Sequence, residues 1–599
     1  MVLVISKQLL AASVGAALLF SISCSNLTGP AKRVAILPAE VLVQSPDAQS
    51  MATAVPLILQ EDLTTSLKWV ATAVPNEAAA YRTGAKYILR ETVEENGTQI
   101  KLQAVLTEIS SQKNRGVWAV NGPVSAGLVT FGNALAKKMD SFATIYSTKK
   151  DQALLAFVAA IQAQQIQQKV NMLQTALKAD PAFGQAYITF AQTLLQNGVQ
   201  NFGPLLKQAD AHRTAFSPLD QLRFAALSKQ LSHAPVAEQA KATEAILKLA
   251  PNDVPALATL ASQRFLTGDV NATRTLLRKA IDLDPNNLTI HKELADVLVN
   301  TGSPKEGVAV LAQYVHDHAP DVNAKRALGE LQFSVGQFAD SDKTLSSLAR
   351  APSIETELAT CKLLEGDTAS ADTIFQTYLN TRQGSNEDFK AIGNAVWMSL
   401  QGHRDQAIET LSKNHFAQPE LQSLALSQIA VWKVSAKDAA GAQQAAAQAV
   451  SLAKAQVPTV FATMASLLAA GNEPVATWRQ KVESSTLEAS GKQFVLGYGF
   501  FLYGHYDEAA EVWRALVKQT NGADLRSKIM LDASLEAAGK AAEAKANTVA
   551  LYFPTVTGAD PFAAINFEQM LKVNGLHDQA SGQSQTGGQL VKLAEQFGK

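Results

Sequence analysis

Between residues 149 and 550, small and apolar positions return about every 34 residues, each time around a turn signal. The turn slots are Gly198, Gly268, Gly302, Gly336, Gly366, Gly402, Gly471, Gly504 and Gly539, with Ala234 and Lys437 standing where the glycine is missing. These slots predict about eleven helical hairpins, and a further turn is expected near Gln164. Seven places before the slot stands a small residue: Ala191, Ala261, Ala295, Gly329, Ala359, Ala395, Ala430 or Gly497. Five places after it stands another, from Gly203, Gly307, Ser341, Ala371 and Ala407 to Ala442, Ala476, Ala509 and Ala544, with Thr273 as the largest. Such pairs mark where two helices cross too closely for a larger side chain. The glycine supplies the left-handed residue that ends the first helix, and prolines such as Pro181, Pro251 and Pro285 reset the chain for the next hairpin.

Residues 32–148 break this rhythm. Arg33 to Pro38 reads as a short buried strand, followed by a helix from about Pro46 to Lys68 and an extended run from Trp69 to Ala73. Asn76 to Tyr81 suits a short helix ending near Gly84; Ala85–Val93, Thr98–Leu106 and Gly116–Val120 are strand-like. Asn96-Gly97 signals a two-residue hairpin, and a last helix is expected from Val124 to Tyr146. The order β-α-β-α-β-β-β-α predicts a small α/β domain with an antiparallel meander. In residues 551–599 the period fades; a capping helix from Asp560 to Val573, a polar linker from Ser581 to Gly588 and a terminal helix from Gln589 to Phe597 are expected. The predicted fold is therefore mainly α, a helical solenoid preceded by an α/β domain.

Two families are resembled. Leu496-Gly497 with Phe500 ahead of Gly504-His505-Tyr506-Asp507-Glu508-Ala509-Ala510 resembles the tetratricopeptide repeat, as does Leu260-Ala261 ahead of Gly268 with Ala280 and Pro285. Arg33 to Pro38, Gly84 to Leu89, and Asn96-Gly97 through Trp118 look like the TolB amino-terminal-like domain, although that family's phenylalanine beside the first strand's proline is absent. Both resemblances imply protein interaction without catalytic residues. The repeat family binds ligands on the concave face made by the first helix of each hairpin. Projected here, that face carries Lys292, Asp296, Asn300, Asn323, Arg326 and Glu330, a mixed-charge groove for a protein or peptide partner.

The amino terminus changes the setting. After Lys7, an apolar run from Leu9 to Ser23 has the length of a signal-peptide core and ends at Cys24. Ser23-Cys24 resembles the lipobox of bacterial lipoproteins, with Ser21 where that family favours leucine. The resemblance implies a leader over residues 1–23, an acylated Cys24 and a tether over 24–31; an ordinary cleaved signal and a retained anchor are the alternatives. Cys361, the other cysteine, reads as a small buried hydrophobe.

Composition removes several classes of chemistry. The 599 residues carry a net charge of −1 with no basic stripe, which argues against nucleic acid. The nine histidines are scattered, and neither a phosphate loop nor a nucleophile elbow is present. No metal, cofactor or small-molecule substrate is indicated. The aromatic group Tyr498, Phe500, Phe501, Tyr503, Tyr506 and Trp513 reads as inter-helix core, with a peptide-binding groove as the alternative. The expectation is a non-enzymatic binding scaffold of the bacterial envelope, lipid-anchored and facing the periplasm or the surface. The alternative is a regulatory module in which the α/β domain senses a ligand and the repeats relay it.

Overall fold

The computed structural model describes residues 31–42, 48–197, 202–383, 386–520, 524–546, 560–581 and 586–597. Cys24, the expected leader and the Gly198 turn lie outside the described residues. The chain forms two compact units, one ending at Leu294 and one beginning at Ala295.

The first unit opens with six strands and three helices. They are β1 (Lys32–Ile36), β2 (Glu40–Leu42), α1 (Ala48–Asp62), β3 (Trp69–Ala73), α2 (Glu77–Arg82), β4 (Tyr87–Asn96), β5 (Gln99–Glu108), β6 (Asn114–Pro123) and α3 (Leu128–Met139). The sheet runs β3-β1-β4-β5-β6, with β1 parallel to both neighbours and β4, β5 and β6 antiparallel. Strand β2, which pairs with β4, was not expected; three residues are too few to show an alternation. The hairpin loop falls one residue later than read, because Asn96 pairs with Gln99 and leaves Gly97 and Thr98 as the turn. Gly97 alone takes a positive φ there, +63°. Helix α3 stops seven residues before the expected Tyr146. Asp140 ends it: its carboxylate accepts from the Ser66 hydroxyl and from the Phe142 N–H, and the chain turns away.

Helices α1 and α3 cover one face of the sheet, where Ile58 packs so closely on Gly132 that a Cβ there would sit 2.6 Å from its side chain. This core does not stop at residue 148. Leu59, Phe131 and Leu135 join Phe157, Leu173, Phe183, Tyr187 and Phe224 of the first three hairpins in one buried cluster.

Twelve hairpins can be followed among the described residues, from Asp151–Gln162 with Ile166–Ala179 to Leu525–Ala537 with Ala541–Ala546. The small-residue pairs are what brings their helices together. A Cβ on Gly307 would lie 2.8 Å from the Ala295 carbonyl oxygen; Ser341 Oγ donates to the Gly329 carbonyl at 2.8 Å, and Thr273 Oγ1 to that of Ala261 at 3.2 Å. The same backbone approach is thus met by no side chain or by a hydroxyl that bonds the crossing carbonyl.

Three turns depart from the pattern. In the third hairpin His233, not Ala234, takes the left-handed conformation (φ +51°), and Lys437 does so in the ninth (φ +62°). Gly471 does not adopt positive φ; it is needed because the Tyr503 ring lies on it while the Tyr503 hydroxyl donates to the Leu468 carbonyl at 2.9 Å. In that hairpin the second helix is displaced, so Ala476 is exposed and Trp478 fills the crossing instead, its indole N–H donating to the Leu467 carbonyl at 2.7 Å. Gly203 is exposed as well.

The carboxy terminus gives the largest difference from expectation. The expected capping helix runs on as Ala563–Ser581 and the terminal helix begins earlier, as Thr586–Gln596, so that most of the expected linker is gone; residues 582–585 lie outside the described residues. The pair packs along the first helices of the second unit's hairpins. Phe562 stacks on Tyr498 with ring centroids 4.1 Å apart, and Tyr498 Oη donates to Asn566 Oδ1 at 2.6 Å. Arg404 pairs with Glu568 at 2.7 Å, Gln428 reaches the Asp560 carbonyl, and Gly402 leaves room for the backbone of Gln596. Of the aromatic group, Tyr498, Phe500 and Trp513 are buried core, Phe501 and Tyr503 pack half-buried against it, and Tyr506 is half-buried.

Candidate binding cleft

In the first unit the first helices of the first three hairpins join the core of the α/β domain, whereas Val254–Leu266 and Leu288–Asn300 face the edge of the sheet across a cleft of about 530 Å³. Strand β3 forms one wall. Among the described residues it is an edge strand, bonded to β1 on one side only. Lys32 N–H donates to the Lys68 carbonyl, and Val74 N–H to that of Ile36. In a parallel pair this phase turns Val70 and Thr72 toward β1 and turns the peptide groups of Trp69, Ala71 and Ala73 outward. Two of those outward donors are met locally. Trp69 N–H bonds Ser66 Oγ at 3.0 Å, and Ala73 N–H bonds Gln60 Oε1 at 2.7 Å. Between them Ala71 presents its N–H and C=O to the cleft it lines.

The facing wall comes from two successive first helices. Val254, Pro255 and Ala258 belong to Val254–Leu266, and Thr289, Ile290 and Glu293 to Leu288–Asn300. Asp253 caps the former by accepting from Ala256 N–H at 3.0 Å, the usual answer to the unpaired donors of a helix start. Asp253 also binds Arg223 at 2.9 Å, and Arg223 binds Glu61 of α1 at 2.5 Å. This Glu61–Arg223–Asp253 chain spans the floor. Asn252 Nδ2 on the Ser66 carbonyl and Asn286 Nδ2 on the Arg82 carbonyl hold the sheet to the hairpin turns.

Burial shapes the electrostatics. Desolvation pushes the Glu61 carboxyl up to about 7, against the pull of Arg223. Next to it Asp62 is pushed up to about 9 by burial and by the Glu61 charge, and Asp220 is raised for the same first reason. Burial also lowers Arg33, with Asp284 opposing. The lining holds four carboxyls, Glu61, Asp253, Asp284 and Glu293, against the two guanidiniums of Arg33 and Arg223. Among the described residues no cluster of His, Cys, Asp and Glu has the arrangement to hold a metal ion.

The residues read from the sequence as a concave face fall in different places. Lys292 is exposed in the first unit, and its neighbour Glu293, rather than Lys292 itself, lines the cleft. In the second unit Asp296 is exposed; Asn300 donates to the Asp296 carbonyl at 2.8 Å and accepts from Lys528 Nζ at 3.2 Å. Asn323 is exposed on the first turn of Val322–Ser334. Arg326 and Glu330 do come together, at 2.8 Å, and Glu357 closes on Arg326 at 2.6 Å, so this guanidinium is held between two carboxylates of its own chain. The sequence reading missed Arg33, Arg223, Asn252, Asp253, Asp284 and Glu293. The one local signal was the Asp253 N-cap; the rest depends on contacts between distant residues, 162 positions apart for Arg223 and Glu61 and 186 for Asn252 and Ser66.

Residues 264–331 match the family model described as tetratricopeptide repeat. No curated protein matches the sequence. Among solved structures, MamA residues 41-end from Desulfovibrio magneticus RS-1 aligns with 35% of this chain and 98% of its own at 15% identity, with a TM-score of 0.24. A second MamA structure covers 36% and 94% at 11% identity, TM-score 0.20. A PelC dodecamer from Paraburkholderia phytofirmans covers 19% and 91% at 20% identity, TM-score 0.15. The repeat model and the twelve hairpins agree, and the helical array is of tetratricopeptide-repeat type.

Proposed function

We propose that this chain is a non-catalytic scaffold of the bacterial cell envelope, held by an acylated Cys24, that binds an extended segment of a protein partner in the cleft beside β3. The observation that carries the binding reading is an edge strand presenting the Ala71 peptide group to a cleft walled by repeat helices. An incoming strand would add main-chain hydrogen bonds at Ala71, while the carboxyl-rich lining favours a lysine, an arginine or an amino terminus on that segment. Tetratricopeptide arrays are protein-interaction scaffolds, which supports the choice of a protein partner. The lipobox-like Ser23-Cys24 and the apolar run before it support the envelope and the tether.

The test is a selection of displayed extended peptides on the purified full chain, followed by affinity measurements on Ala71→Pro. Proline removes the outward N–H without touching the bonds to β1, as edge strands tolerate. Affinity is expected to fall about tenfold or more, about 1.4 kcal/mol, at unchanged melting temperature. Peptides indifferent to Ala71→Pro and to Glu293→Gln would reject the cleft as the site.

A further inference from the structure

The α/β domain carries an exposed apolar patch that neither the cleft nor the array uses. Phe142 is 68% exposed, Ile145 50% and Leu67 45%, in a fold that buries most of its large hydrophobes. The two segments that carry them are tied together. Thr65 Oγ1 donates to the Phe142 carbonyl at 2.8 Å, Thr144 N–H to the Asp62 carbonyl at 2.7 Å, and Ser66 Oγ to Asp140. These bonds place the loop after α3 against the loop before β3, so Leu67 and Phe142 belong to one end of the domain.

The two segments carry exposed lysines and no exposed acid, with Lys138 Nζ turned to the Ala119 carbonyl and Lys150 Nζ to that of Ala179. Residues 137–150 include Lys137, Lys138, Lys149 and Lys150, all exposed, and a single acid, Asp140, which is buried. Lys137 Nζ reaches the Ser141 and Ala143 carbonyls, which keeps its ammonium on the Phe142 loop. Lys68 follows Leu67 and is exposed, with no acid between Leu63 and Trp69. The chain also enters the fold here: Lys32, the first residue of β1, donates its N–H to the Lys68 carbonyl at 2.7 Å. Lys32 stands eight positions after Cys24, a reach of at most about 28 Å when extended.

We infer that Leu67 and Phe142, with Lys68 next to the one and Lys137 held beside the other, form a membrane-docking face that sits in the headgroup region of an anionic bilayer, with Ile145 following on the same loop. An apolar tip with a basic rim is what an interfacial site requires: the rings and branched chains enter the acyl boundary while ammonium groups meet phosphate. The position of Lys32 puts this face where a chain acylated at Cys24 must approach lipid, so the inference rests on the tethered reading above. It adds that the α/β domain lies on the membrane rather than hanging from it.

The experiment uses the full chain on vesicles of phosphatidylethanolamine and phosphatidylglycerol containing bromine-labelled acyl chains. Tryptophan is placed on the patch by Phe142→Trp or, as a control, by Val457→Trp, at another exposed apolar position. Fluorescence added by Phe142→Trp is expected to be quenched several-fold more than that added by Val457→Trp. The difference should shrink on phosphatidylcholine vesicles and in high salt. Equal quenching at both positions would overturn the inference. Labelling with a clickable palmitate separates it from the tether. Quenching at 142 without label keeps the face and rejects the acylated Cys24; label without quenching keeps the anchor and rejects the face.

Discussion

The first helices of the repeats meet two different fates in this molecule. In the first unit Val254–Leu266 and Leu288–Asn300 face the edge of a β-sheet across a polar cleft; in the second the first helices are covered by the chain's own carboxy-terminal helices. The difference follows from what each covering element offers. The helix Ala563–Ser581 brings Phe562, Ile565, Phe567 and Leu571, all buried, and makes one continuous apolar core with Tyr498 and its neighbours. Strand β3 brings a backbone edge whose outward peptide groups need hydrogen bonds rather than apolar contact. Repeat arithmetic alone therefore does not say which stretch of a solenoid is open to a partner. The deciding fact is what else in the chain has been folded onto it.

The comparison can be broken at its strongest point by ending the chain before Asp560. Loss of the helical pair uncovers Tyr498 and breaks the Arg404–Glu568 pair at 2.7 Å, so the second unit is expected to lose cooperative unfolding and to aggregate. Amide exchange in the first unit should change little. Equal loss of protection in both units would show that the covering helices are not specific to the second.

A smaller effect is expected from Arg223→Met. It leaves Glu61 and Asp253 buried without their shared cation, at a cost of about 3–5 kcal/mol in the first unit, read from denaturant unfolding. Part of that cost returns on lowering the pH, since Glu61 already stands near 7.

The pH dependence sharpens the contrast further. Asp62 holds its proton in the folded state up to about 9, whereas its ordinary value is 3.8. The folded chain therefore binds more protons than the unfolded chain across this window. The Asp62 contribution to stability is full below about pH 4 and is lost as pH rises toward 9. Asp62→Asn should flatten that slope in the local exchange of α1 and leave the second unit's own slope in place. There burial pushes Asp532 up to about 8. A slope unchanged by Asp62→Asn would mean that another group of the first unit carries it.

What could be read in the sequence is what recurs or is local. The beat of about 34 residues, the paired small residues and the Asn96-Gly97 signal all report contacts between positions close in the chain. Gly329 and Ser341, 12 residues apart, meet as their spacing requires. The turns that failed did so for tertiary reasons: Gly471 answers to Tyr503 and Trp478 displaces Ala476, neither of which the period encodes. The carboxy-terminal pair was misread as a cap because its partners, such as Tyr498 for Asn566, lie 68 residues away. The cleft was missed because Glu61, Arg223, Asp253 and Glu293 share no local pattern. Projecting a family's concave face onto Lys292, Asp296, Asn300, Asn323, Arg326 and Glu330 found one helix that borders the cleft, but not the side chain that lines it.

The central claim is that an extended partner segment is received beside β3 and not along the first helices of the second unit. Hydrogen exchange on the full chain, with and without a selected peptide at saturation, tests it most directly. Protection is expected at Ala71 and across Val254–Leu266, with the first helices from Pro352 to Ala537 unchanged. Protection confined to those second-unit helices, with Ala71 exchanging as before, would contradict the account.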